Sequence, residues 1–205
     1  SWYQAGLGEP KNPALARQWW QRSAKLGNGE ASYQLGQDCR QRHKGKLASE
    51  CLDWFEQAAK RDHASAQLIL GQWYAGQAGS DEEAVKWYRL AAEQGDVDGL
   101  FNLAVMYDDG RGVAQDDLQA VAWYRKAAEQ GQAYAQFNLG SMYEQGRGVP
   151  KDYQQAYVWY SVSAANGEHL AIERRDAVAK NLTQADLSAA QKLATSYFEQ
   201  YQPKS

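Results

Sequence analysis

The residues of this 205-residue chain whose types could do chemistry are three histidines, two cysteines and several acidic pairs. His43, His63 and His169 are too far apart for any two to share the i, i+4 spacing that places two imidazoles on one helix face. Cys39 and Cys51 lack the C-x-x-C partners of a zinc site, so neither a metal nor any other cofactor is expected. Gly-Arg-Gly-Val occurs at 110–113 and again at 146–149. Neither copy ends in Gly-Lys-Ser/Thr and each follows a helical pattern, so turns are expected rather than phosphate cradles. Arg111 and Arg147 then stand on exposed loops, as candidate contacts for a partner. The acidic runs Asp81-Glu82-Glu83, Asp108-Asp109 and Asp116-Asp117 fall at the ends of helical patterns. The first and third suit the positive end of a helix dipole. No carboxylate pair has surroundings suited to general acid–base work, and no serine sits in a nucleophile elbow. An enzyme is not expected.

The elements that carry these residues follow from an internal repeat. Paired aromatics stand at Trp19-Trp20, Trp54-Phe55, Trp87-Tyr88, Trp123-Tyr124 and Trp159-Tyr160, which gives spacings of 35, 33, 36 and 36. Eight residues beyond each first Trp come Gly27, Asp62, Gly95, Gly131 and Gly167, and between them lie Leu35-Gly36, Leu70-Gly71, Leu103-Ala104 and Leu139-Gly140. Three landmarks in phase define a unit of about 35 residues, the length of a helix pair in repeat arrays. Ala135, Leu139 and Met142-Tyr143 form one apolar stripe at helical spacing, and Ala156, Trp159, Tyr160, Ser163 and Ala164 form the next. Between them "EQGRGVPKD" breaks the helix. Ser80 to Glu83 has the spacing of a capping box, and Thr183 to Asp186 of a weaker one. The Trp54, Trp87, Trp123 and Trp159 column is read as core; stacking on sugars or bases would require it to face outward. Trp73, in the place of Met106 and Met142, is expected to be partly exposed.

"AYAQFNLGSMYEQGRGVPKDYQQAYVWYSVSAANG" resembles a Sel1-like repeat, a relative of the tetratricopeptide repeat, and "GLFNLAVMYDDGRGVAQDDLQAVAWYRKAAEQG" does so nearly as well. Residues 63–94 match with a shortened loop and 28–61 more loosely, while "RRDAVAKNLTQADLSAAQKLATSYFEQY" resembles the helical cap of such arrays. The resemblance implies an all-α, right-handed α-solenoid of antiparallel helix pairs. Its divisions are a partial repeat at 1–27, full repeats at 28–62, 63–95, 96–131 and 132–167, and capping helices at 168–205. Ser1–Lys11 aligns with Ser141–Lys151, so the chain opens in the last turn of a helix and is read as a fragment of a longer protein.

By the same resemblance, the residue before the landmark Leu and the second one after it face a concave groove. These are Gln34 and Gln37, Ile69 and Gln72, Asn102 and Val105, and Asn138 and Ser141. Amide side chains there can bond an extended peptide backbone without fixing its sequence. The expected function is a non-catalytic scaffold or adaptor of a bacterial cell, binding another protein through the groove or the loops. The alternatives are an immunity protein that neutralises a secreted toxin or hydrolase, and a regulator that binds envelope polysaccharide or peptidoglycan. The formal charge of -3 offers no general attraction to nucleic acid, and no apolar run nears the roughly 18 residues of a membrane span. Cys39 replaces Tyr74, Tyr107 and Tyr143, and Cys51 replaces Ala16, Ala84, Ala120 and Ala156. An antiparallel hairpin brings these positions together, so a disulfide is expected over two buried thiols. That bond implies a periplasmic or secreted location, and free thiols would imply a cytoplasmic one.

Overall fold

A computed structural model describes residues 12–201. The partial helix expected at 1–11 lies outside them. The described residues form eleven helices and no strand: α1 Pro13–Lys25, α2 Gly29–Arg42, α3 Ser49–Ala59, α4 Ala64–Ala75, α5 Asp81–Glu93, α6 Val97–Asp109, α7 Asp117–Ala128, α8 Ala133–Gln145, α9 Tyr153–Ala165, α10 Leu170–Ala179 and α11 Gln184–Gln200. They fall into two compact units divided between Gln94 and Gly95. In the first, α2 packs on α3 and α4 on α5; in the second, α6 packs on α7, α8 on α9, and both α10 and α11 against α9. The fold is an all-α solenoid of helix pairs.

Local chemistry sets the helix ends. Asn28, Asp96, Asp116 and Asp152 each accept a backbone N–H from the first turn that follows, the usual remedy for donors with no partner inside the helix. The two capping boxes behave differently from their sequence ranking. Ser80, at φ -111° and ψ 16°, makes no side-chain cap bond, and Glu83 pairs with Lys86 instead. Thr183 has extended backbone, and its hydroxyl accepts from the Asp186 N–H and donates to the Asp186 carboxylate. Extended backbone at the cap is what points the hydroxyl at the first turn.

Where the other repeats close with a glycine at positive φ, the repeat at 28–62 has Asp62 at φ 57°. A left-handed residue other than glycine costs about 1–2 kcal/mol, less for Asp than for most. Asp62→Gly should therefore raise stability by about 0.5–1 kcal/mol in urea denaturation. No gain would mean that the Asp62 side chain offsets the strain.

The core corrects the expectation for the aromatic column. The second member of each pair is the deep one: Phe55, Tyr88, Tyr124 and Tyr160 are all buried. Three of these rings lie against the glycine that follows the landmark Leu. A Cβ on Gly36 would stand 2.8 Å from Phe55, one on Gly71 2.5 Å from Tyr88, and one on Gly140 2.9 Å from Tyr160. Trp54, Trp87 and Trp123 are only half-buried, and Trp19 is exposed. Trp159 alone of the column is sealed, because Tyr197 and Tyr201 at the end of α11 cover it at ring separations of 5.2 and 5.8 Å. Trp73 is half-buried against the first unit's core, whereas Met106 and Met142 are fully enclosed.

A polar clamp recurs inside this core. Buried Gln67 donates to the Ala59 carbonyl at the end of α3 and accepts from Gln94 just past α5. Buried Gln136 donates to the Ala128 carbonyl at the end of α7 and accepts from Asn166 just past α9. Each amide thus ties the end of one hairpin to the helices of the next.

Candidate functional site

The eight predicted groove positions all lie on the first helix of a pair. In the first unit, the Gln34 amide donates to Glu30 at 2.7 Å, and Glu30 also meets His63 Nε2 at 3.0 Å. The Gln34 bond, followed by His63, holds the Glu30 carboxyl below its usual range against the opposing pull of burial. Gln37 donates to the Tyr33 hydroxyl, and the Tyr33 ring stacks on His63 at 4.3 Å. Ile69 is half-buried and packs into the core beneath, while Gln72 is exposed.

In the second unit Asn102 donates to the Asp98 carbonyl of its own helix, and Val105 is half-buried. Asn138 lies close to the Tyr124 hydroxyl, and Ser141, which accepts from Gln145, lies close to the Tyr160 hydroxyl. Tyr134, one turn before Asn138, is 58% exposed, and its ring lies 6.3 Å from that of Phe101 on α6. Tyr134 and Asn138 therefore share one face of α8, and the Tyr134 ring meets α6 through Phe101, next to Asn102 in sequence.

Beneath this face runs a relay that sequence reasoning missed. The buried Tyr124 hydroxyl donates to Asp108, and Arg147 bridges Asp108 at 2.6 Å and Asp117 at 2.5 Å. One repeat later, Tyr160 donates to Glu144, which Arg174 of α10 holds at 2.7 Å. Burial, then the adjacent carboxylate, pushes the Tyr160 hydroxyl up to about 12 and raises that of Tyr124 further. Arg147, taken from the sequence as a loop contact for a partner, is half-buried and serves this internal bridge; Arg111 is exposed. The loop that delivers Arg147 depends on Gly148, at φ 64°, where a Cβ would lie 2.2 Å from the Asp117 carbonyl oxygen.

At one end of the first unit, Arg17 grips Asp38 with two bonds of 2.8 and 3.0 Å. That grip holds the Asp38 carboxyl below the usual aspartate range. A depressed carboxyl stabilises the fold above its unfolded pKa and loses that contribution as pH falls through the folded value. Asp38→Asn should cost about 1 kcal/mol at pH 7, and urea curves of wild type and variant should converge near pH 2. A constant gap at both pH values would assign the cost to packing.

Cys39 and Cys51 are joined by a disulfide between α2 and α3, with Cα atoms 5.5 Å apart. Both are buried, and His43 stands beside them with its Nε2 in hydrogen-bond contact with Glu50. Among the described residues, no helix is long and apolar enough to cross a membrane.

These helix pairs have known counterparts. A solved protective antigen present in uropathogenic Escherichia coli strains, displaying an SLR fold, is similar with a TM-score of 0.84 and 36% identity. The match covers 98% of this chain but only 44% of that one, so this chain spans less than half the length of that relative. A Sel1 repeat protein from Oxalobacter formigenes has a TM-score of 0.72 and 30% identity, covering 99% of this chain and 82% of that one. No curated protein matches. The Sel1 repeat model matches five consecutive segments, residues 1–28, 29–63, 64–96, 97–132 and 133–168, each bound within one residue of those set by the glycine landmarks. With hairpins, landmarks and model in one phase, the chain belongs to the Sel1 repeat family.

Proposed function

We propose that this chain is a non-catalytic scaffold of a bacterial cell that binds another protein through the amide-lined face of its first helices. Sel1 repeat proteins are generally protein-interaction scaffolds. The observation that carries the reading here is the exposed Tyr134 ring, which meets Phe101 of α6 and stands one helical turn before Asn138 on α8. A rigid aromatic flanked by amides supplies contact area at low entropic cost together with adaptable hydrogen bonds. Asp108, Asp117 and Glu144 are each engaged by arginine, which favours a structural over a catalytic role for these three. The Cys39–Cys51 bond supports an oxidising compartment, periplasmic or secreted.

The test is affinity capture with the whole chain as bait, followed by titration of any stoichiometric partner against variants. Tyr134→Ala combined with Asn102→Ala should weaken that partner at least 10-fold, the loss of one hot-spot contact, with the melting temperature unchanged. Unchanged affinity would move the interface off this face. Binding of peptidoglycan or alginate fragments, seen as a change in tryptophan fluorescence, would instead favour a glycan-binding role.

A further inference from the structure

At the closed end of the α2–α3 hairpin, the sulfurs of Cys39 and Cys51 and a ring nitrogen of His43 all lie within 4.8 Å of one another. The sulfurs are buried beneath, whereas His43 is half-buried and stands on the solvent side. Glu50 contacts His43 Nε2, and its carboxylate oxygen reaches to 4.0 Å from Cys39 Sγ. We propose that reduction of the Cys39–Cys51 bond turns this hairpin end into a binding site for a zinc-class divalent cation, with both thiolates and His43 as ligands.

Two thiolates and one imidazole form a donor set suited to zinc, and three protein ligands leave a fourth, solvent-facing position for water. Cys39 in the last turn of α2 and His43 at its C-cap stand four residues apart, which brings both donors to the same end of the hairpin. Cys51 is delivered by the first turn of α3, with its Cα 5.5 Å from that of Cys39. A tetrahedral ion with Zn–S bonds of about 2.3 Å holds its sulfurs about 3.8 Å apart. Reaching that separation from the bonded state requires the two sulfurs to part by rotation of their side chains. Glu50 acts as a positioning residue, holding the ring by Nε2 as carboxylates hold metal-bound histidines.

The chemistry balances. A dithiol or phosphine donates two electrons to the disulfide, the S–S bond breaks, and each sulfur takes up one proton. With a phosphine, water supplies the oxygen of the phosphine oxide formed. Metal binding then releases both thiol protons, and the two negative charges neutralise the dication. The cation would tie α2 to α3 where the covalent bond had done so.

The whole chain, reduced anaerobically with a water-soluble phosphine, would be titrated with Co2+ as a spectroscopic probe and then with Zn2+. We expect one equivalent of Co2+ to produce a thiolate-to-cobalt charge-transfer band with the intense visible bands of tetrahedral cobalt. Zn2+ should abolish both, and the oxidised chain should show neither. His43→Ala should weaken Co2+ binding at least 10-fold, and Glu50→Gln about 10-fold. Both replacements lie at the hairpin end rather than in the core, and far-ultraviolet circular dichroism would verify their helices. A reduced chain that leaves Co2+ in its pale octahedral form would overturn the proposal. So would a His43→Ala chain that titrates like wild type, or a reduced chain that loses helix and does not regain it with Zn2+.

Discussion

Trp159→Ala should lower the stability of the second unit by about 3–5 kcal/mol, the cost of emptying a fully buried large aromatic site. Trp123→Ala, at the same phase one repeat earlier, should cost less than half as much. Trp159 is 1% exposed, with Tyr197 and Tyr201 closing over it. Its removal opens a cavity and strips α11 of the surface on which both tyrosines rest. Trp123 is half-buried, and Lys126 Nζ lies over its ring at 4.0 Å, so water can occupy much of the space an alanine leaves. For a chain of this size the larger loss corresponds to a fall in melting temperature of roughly 6–20 °C. Thermal melts of the two variants side by side decide it: equal shifts would mean that the cover from α11 adds nothing.

Gly140→Leu should cost at least about 3 kcal/mol, at or beyond the upper end of ordinary overpacking. A Cβ at this position already stands 2.9 Å from Tyr160 Cδ1 and 3.0 Å from Cε1, and three more carbons lie beyond it. The Tyr160 ring has little freedom to retreat, since its hydroxyl is bound to Glu144 and its face meets Phe137 at 5.3 Å. Gly140→Ala should be far milder. Ala104 is buried at the same phase in the preceding repeat, whose aromatic pair also ends in a buried tyrosine, Tyr124. Chemical denaturation of both variants tests the claim. A leucine variant within 1 kcal/mol of wild type would show that the helices separate at little cost.

Much of this architecture was legible because the repeat multiplies weak signals. A single Leu-Gly step or aromatic pair means little, but five aromatic pairs in phase with four Leu-Gly or Leu-Ala steps require stacked hairpins. Depth within the aromatic pair was not legible, since either neighbour could have taken the inward place. The small residue after the landmark Leu was the available clue: Gly36, Gly71 and Gly140 leave a gap that one ring of each pair fills. The tyrosine–carboxylate–arginine relay was hidden for another reason. Arg147 comes from a hairpin loop and Arg174 from α10, two origins that no fixed period relates. The groove amides were placed on the right helices, but sequence alone could not reveal how many were engaged by neighbours such as Glu30, Asp98 and Tyr124. His43 was passed over because histidines were compared with one another. Its spacing of four from Cys39 is the relation that a comparison among histidines alone does not bring out.

The buried amide of Gln136 meets the end of the described chain as well as its neighbours, for Tyr201 offers its backbone carbonyl to both Gln136 and Asn166 at 3.4 Å. With Tyr197 and Tyr201 over Trp159, α11 occupies the surface on which a further hairpin would have to stack. This constrains how such a gene can lengthen. A tandem duplication inserted ahead of this seam copies a hairpin whose neighbours on both sides are also hairpins, and each new amide finds a helix end to hold. A duplication that separated α9 from α11 would strand two tyrosines, a tryptophan and a bonded carbonyl at once. A hairpin inserted ahead of this seam leaves these contacts intact, whereas one inserted between α9 and α11 breaks them all.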